Sequence, residues 1–213
     1  MRRTLLAAML MTPAIRFFRD PAFRTRAVGF LLGRPTPLVA PDRTVLETII
    51  FPYFQSLTEI RSVLFVGCDW YTRHYESAYF PGKDYWTIDP APGARKFAGR
   101  RHVVAPLEEL GRHFPPERFD LIVCNGVFGY GLNEPRQCEE AFGECYCRLR
   151  ANGYLVVGWD DVPERTPVPM GVIRSLKAFE KIEFPPLGTW RYLTDTAYRH
   201  TYDFYRRPAL TRA

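Results

Sequence analysis

From residue 61 onward, short unbroken apolar runs alternate with stretches whose apolar positions recur at helical spacing. The runs are VLFVG (63–67), YWTI (85–88), HVVA (102–105), DLIVCN (120–125) and YLVVGW (154–159). A strand that is apolar throughout is covered on both faces, as in a parallel sheet sandwiched by helices. Helix-compatible pieces lie near 72–79, 107–113, 134–149 and 170–180, giving the alternation of an α/β domain. Two further strand-like segments, WRYLT (190–194) and RHTYDFYRR (199–207), are joined by a short link and are expected to close as an antiparallel hairpin. The expected sheet is therefore mixed: mostly parallel, with a C-terminal antiparallel hairpin and helices on both faces.

The N-terminal part reads differently. Residues 1–34 carry apolar positions at helical spacing, and RPTPLVAP (34–41) is a proline-rich connector, since residues before proline avoid the helical region. Asp42 is placed to cap a helix through RTVLETII that breaks or kinks near Pro52. This divides the chain into an N-terminal helical extension, residues 1–60, and an α/β domain, residues 61–213. A chain of 213 residues has room for both.

Composition, 46% hydrophobic and 24% charged, is that of an ordinary globular protein. Charge changes the picture only at the start, where seven arginines up to Arg34 face a single acid, Asp20. The opening MRRTLLAAMLMTPAIRFF resembles a short signal peptide, but its apolar run is too short to span a bilayer and no clear cleavage site follows. A helix packed on the domain or lying over its mouth, and a basic amphipathic helix on an anionic lipid surface, stay open as readings. The arginines are not interleaved with stacking aromatics, which argues against nucleic acid. Five cysteines in apolar or helical contexts suggest a reduced, cytoplasmic thiol set. Cys145 and Cys147 point to different faces of one helix, and no histidine cluster accompanies them or Cys138, so no zinc site is expected.

In an open parallel sheet, ligands sit beyond the carboxyl ends of the strands, beside the first one. Here that place is the turn GCDWYT after VLFV, where a dinucleotide site would carry G-x-G-x-x-G. Asp69 sets a carboxylate where a phosphate would lie, which is unfavourable for phosphate and suits a cationic group. Asp89, at the end of the second strand in YWTIDP, is placed to accept hydrogen bonds from ribose hydroxyls. A ribose clamp beside a cation site, without phosphate binding, matches S-adenosylmethionine.

These residues resemble a known family. Residues 61–207 are similar to class I S-adenosylmethionine-dependent methyltransferases through LFVGCD, TIDP, FDLIVCNGVFGYG and LRANGYLVVGW, taken in order and spacing. The resemblance implies a Rossmann-like, seven-stranded mixed sheet, S-adenosylmethionine as cofactor and a small-molecule acceptor. It places Gly67, Cys68, Asp69, Asp89 and Pro90 at the cofactor, with His74 and Tyr75 near the methionine end and Asn125, Gly126 and Val127 beneath the sulfonium. Two departures stand out: Asp69 replaces a second glycine, and no acid follows the third strand. Adenine contact would then fall to Ala105, Pro106 and Leu107.

Methyl transfer asks mainly for alignment and exclusion of water; a base is needed only where the acceptor must lose a proton. His200 and Asp203 in RHTYDFY, with Asp160 and Asp161 after the fifth strand, are the candidates, and His200 and Asp160 lead them. Phe128, Tyr130 and Trp159 are candidates for an aromatic or lipid-like acceptor pocket bordered by the loop GWDDVPERTPVP. A non-catalytic binding protein on the same fold and a nucleotide-dependent oxidoreductase are the alternatives.

Overall fold

The computed structural model describes residues 40–166 and 168–209. The helices expected over 1–34 and most of the proline-rich connector lie outside the described residues.

The chain enters through α1 (Pro41–Val45), one π-helical turn (Leu46–Ile50) and α2 (Phe51–Ser56). The expected break at Pro52 is a widened turn instead. Phe51 N–H donates to Leu46 O, five residues back, so the helix continues past a residue that has no N–H to give. Asp42 is not the cap. Ala40 holds that position, and its carbonyl accepts from the Thr44 amide at 2.9 Å. The Asp42 carboxylate instead accepts from the Tyr198 hydroxyl at 3.0 Å.

The strands are β1 (Ser62–Val66), β2 (Asp84–Asp89), β3 (Arg101–Val104), β4 (Phe119–Asn125), β5 (Leu149–Asp160), β6 (Glu180–Lys181), β7 (Arg191–Leu193) and β8 (His200–Arg206). Their order is β3-β2-β1-β4-β5-β8-β6, with β7 also paired to β8. The first five are parallel, and β8 runs antiparallel to β5, β6 and β7. β6 and β7 take successive stretches of β8, so eight strands fill seven positions across the sheet. The expected hairpin is β7–β8, with Arg191 opposite Asp203.

One face of the sheet buries Val63, Phe65, Tyr202 and Phe204 beneath Leu46, Ile50, Phe51 and Phe54 of the entry helix. The other buries Leu64, Ile122, Leu155 and Val157 beneath α4 (Pro135–Arg148), whose Cys138, Ala141, Phe142 and Cys145 repeat at helical spacing. Between β1 and β2 the expected helix is a 3₁₀ turn (Trp70–Thr72) followed by the short α3 (Tyr75–Tyr79). The helix expected over 170–180 does not form; two 3₁₀ turns, Met170–Val172 and Ser175–Ala178, stand in its place. Among the described residues, no helix is long and apolar enough to cross a membrane.

Candidate cofactor and acceptor site

Strand order reverses between β1 and β4, and the crevice at their carboxyl ends is framed by the turns after β1, β2 and β4. Gly67 opens the first turn at φ +87°, and a Cβ there would lie 2.8 Å from Val127 Cγ2. Glycine alone combines that backbone with that approach.

The next four amides are all used within the protein. Gly67 N–H donates to Ile88 O at 2.9 Å and Cys68 N–H to Asp89 Oδ2 at 2.8 Å. Asp69 N–H donates to Thr72 Oγ1 at 3.1 Å and Trp70 N–H to Asp69 Oδ1 at 2.6 Å. Phosphate sites at such turns work by aiming these amides at the anion; here none of the four is left to aim. Asp69 is exposed and caps the 3₁₀ turn through its side chain. Asp89 carries the second turn, its Oδ1 accepting from Ala91 N–H at 2.8 Å. A carboxylate oxygen holds two lone pairs, so Asp89 keeps acceptor capacity for hydroxyl groups while it braces both turns.

Behind the crevice lies a buried polar chain. His200, at the start of β8, sits opposite Asp160 at the end of β5, and its Nδ1 is 2.6 Å from Asp160 Oδ1. The Asn125 carboxamide directs its NH2 to His200 Nε2 at 3.0 Å, and its oxygen accepts from Arg43 Nη1 and Nη2 at 3.0 and 3.1 Å. This orientation satisfies both ends of the amide and assigns the Nδ1–H tautomer to His200. Gly158 makes room for it, since a side chain there would overlap the Asn125 carboxamide and come within 2.9 Å of His200 Nε2.

Asp160 Oδ2 accepts from the Tyr130 hydroxyl at 2.5 Å and from Arg165 Nη1 at 2.6 Å. Burial opposes its charge, but hydrogen bonds from His200, Tyr130 and Arg165 outweigh it and hold the carboxyl below its ordinary range. Arg43 itself is buried, with Nη2 3.1 Å from the Tyr71 hydroxyl and Nη1 3.3 Å from that of Tyr75. Its Nη2 faces the loop after β4, 3.8 Å from where a Gly126 Cβ would stand.

The structure sorts the expected residues. Gly67, Cys68, Asp69, Asp89, Pro90, Asn125, Gly126 and Val127 lie on the three turns framing the crevice. Ala105, Pro106 and Leu107 follow β3, with Ala105 and Leu107 buried in the core. His74 is buried as well.

Four expectations need correcting. Tyr75 is fully buried, packed on Phe51 and Phe65, and its hydroxyl is spent on Glu47 at 2.7 Å; it shapes Arg43 rather than meeting a ligand. Phe128 is fully buried and packs edge-on against Trp159, so it is core, not pocket lining. Trp159 turns to the opposite face of the sheet from its neighbour Asp160, with its indole N–H on Asp203 at 3.3 Å. His200 and Asp160 do meet, but they are buried and bonded to each other and to Asn125, Tyr130 and Arg165, and the Nε2 lone pair of His200 is taken by the Asn125 amide, so the pair reads as a positioning element. Tyr130 remains exposed at the mouth.

Arg43 and Tyr71 went unnoticed in the sequence. The available signal was in the entry helix. Arg43 and Glu47 occupy the same stripe as the apolar Leu46, Ile50 and Phe54, and charges on a buried stripe need partners.

Comparison with known proteins gives a consistent picture. The family model described as a methyltransferase domain matches residues 64–157. Among solved structures, the N-methyltransferase NodS from Bradyrhizobium japonicum WM9, in complex with S-adenosyl-L-homocysteine, superimposes with a TM-score of 0.57 at 19% identity, covering 97% of each chain. A TehB-like SAM-dependent methyltransferase from Corynebacterium glutamicum ATCC 13032 gives 0.55 at 18% identity, covering 92% of this chain and all of the other. No curated protein sequence matches the chain significantly.

Proposed function

We propose that the chain, whose residues 64–157 match the model of a methyltransferase domain, is a class I, S-adenosylmethionine-dependent enzyme that methylates a small molecule with an aromatic or lipid-like body. The observation that carries the site assignment is the β1 turn, whose four amides are satisfied internally while the Asp89 carboxylate faces the crevice. That surface suits a ribose without a phosphate, and Gly67 lets the turn close against Val127 of the loop after β4.

When bound, S-adenosylmethionine supplies a methyl group on a positively charged sulfur, open to in-line displacement. Asp89 would accept from the ribose hydroxyls, and the backbone at Ala105, Pro106 and Leu107, with the Pro106 ring, would border the adenine. Arg43, held between Tyr71 and the loop after β4, pairs with the methionine carboxylate. Asn125 is locked by His200 on one side and Arg43 on the other, so the loop 125–127 keeps a fixed shape beneath the reacting centre. Because His200 and Asp160 are spent on each other and on their neighbours, they act as positioning residues. An acceptor that brings its own lone pair, such as an amine nitrogen, is favoured over an alcohol that must first be deprotonated. We place the cofactor-binding domain at 61–213, with the helix before it contributing Arg43.

Incubation with methyl-labelled cofactor and a fractionated small-molecule extract tests the reading. Label is expected in an amine-bearing apolar fraction. Label confined to macromolecules would refute the small-molecule assignment.

A further inference from the structure

Glu139 of α4 braces the 170–180 segment, its two carboxylate oxygens accepting from Arg174 N–H at 2.7 Å and Ser175 N–H at 2.9 Å, the first amides of the Ser175–Ala178 turn. Those two bonds hold the Glu139 carboxyl below its ordinary value. They also tie the segment to α4 in short turns. Beside it, on the sheet face away from Asn125 and His200, remains a cavity of about 820 Å³, large enough for a small-molecule ligand.

Trp159, Ile173, Leu176, Phe179 and Tyr205 give the cavity an apolar, aromatic lining. Its charged members are Lys177, Lys181 and Arg191 against one acid, Asp161, which lies 3.5 Å from Arg199. Arg191 is matched to the buried Asp203 by two 2.6 Å hydrogen bonds. The net positive charge therefore comes from Lys177 and from Lys181, whose ammonium stands 4.1 Å from the Trp190 ring centroid. None of the turns after β1, β2 or β4 contributes to the lining.

We propose that this cavity binds an anionic amphiphile, a single carboxylate on an acyl or aromatic body, independently of the methyl donor. An apolar wall accepts the body by burial, and the two lysines meet the head with charge-assisted bonds. The full chain is titrated calorimetrically with dodecanoate below its micellar concentration, with and without saturating S-adenosylhomocysteine. Dodecyltrimethylammonium is the charge control. Saturable dodecanoate binding unaffected by the homocysteine is expected, and no binding of the cation.

The paired variant Lys177→Glu/Lys181→Glu, at exposed positions, should bind about tenfold more weakly or worse. Gly171→Phe adds a side chain at a lining position where a Cβ would meet nothing within 4 Å, and should also weaken binding. Equal binding of the cation, displacement by S-adenosylhomocysteine, wild-type affinity in both variants, or no dodecanoate binding would each overturn the proposal.

Discussion

Gly158→Ala probes the buried chain at its tightest point. The added methyl overlaps the Asn125 carboxamide and stands 2.9 Å from His200 Nε2, so Asn125 must swing away. The move breaks one neutral bond to His200, worth about 0.5–1.5 kcal/mol, and the charge-assisted contact with Arg43, worth about 1.5–3 kcal/mol. The expected loss is then about 2–4.5 kcal/mol. For a chain of this size that lowers the unfolding midpoint by about 4–18 °C. Thermal unfolding of the wild type, Gly158→Ala, Asn125→Ala and the double variant closes a cycle. With the carboxamide removed, the methyl has room, and Gly158→Ala should then cost about 1 kcal/mol or less, the ordinary range for a mild substitution. A penalty of the same size in both backgrounds would refute the steric argument.

Asp160 and the cysteines give two further tests. The Asp160 carboxyl is held below its ordinary value of 3.8 in the fold, so its contribution is whole above that value and is lost as pH falls through the lower folded value. Asp160→Asn should be less stable at neutral pH, by about 3 kcal/mol as for breaking a buried pair, and should show a shallower decline on acidification in urea titrations; a decline as steep as the wild type would remove Asp160 as its source. Burial, then Asp89, pushes the Cys68 thiol up to about 12, and Cys124, Cys138 and Cys145 are buried while Cys147 is exposed. Iodoacetamide on the folded protein should therefore modify Cys147 first by peptide mapping, and equal labelling of Cys68 would contradict the packing of the β1 turn.

The central parallel strands β1 and β4 were legible because burial on both faces leaves a run largely apolar, as in Phe119–Asn125. Strand ends were less so, since β5 starts at Leu149 through the polar Arg150 and Asn152, which no apolar run marks. Within 170–180 the chain forms two 3₁₀ turns, and the Glu139 contact that braces the second, from 35 residues away, is one that local periodicity does not carry. The same holds at the site. Gly67 and Asp89 announce themselves beside strand ends, whereas pairing His200 with Asp160 requires the β5–β8 register. Arg43 was hidden for another reason: its helix was assigned to the extension, and its partners Tyr71 and Tyr75 come from the far side of β1. Phe128 and Tyr75 were misplaced because aromatic type alone does not distinguish a pocket wall from a core, and Trp159 because it lines a cavity on the other face of the sheet.

The central claim, a turn whose first four amides are bonded within the protein and an acid that meets a ribose, is tested most directly by calorimetric binding of S-adenosylhomocysteine and of NAD to the wild type and to Asp89→Ala. The account predicts binding of the homocysteine with no detectable NAD binding, and a loss of about tenfold to a hundredfold in Asp89→Ala, the worth of hydrogen bonds to a carboxylate. NAD binding of similar strength, or undiminished affinity for the homocysteine without Asp89, would contradict it.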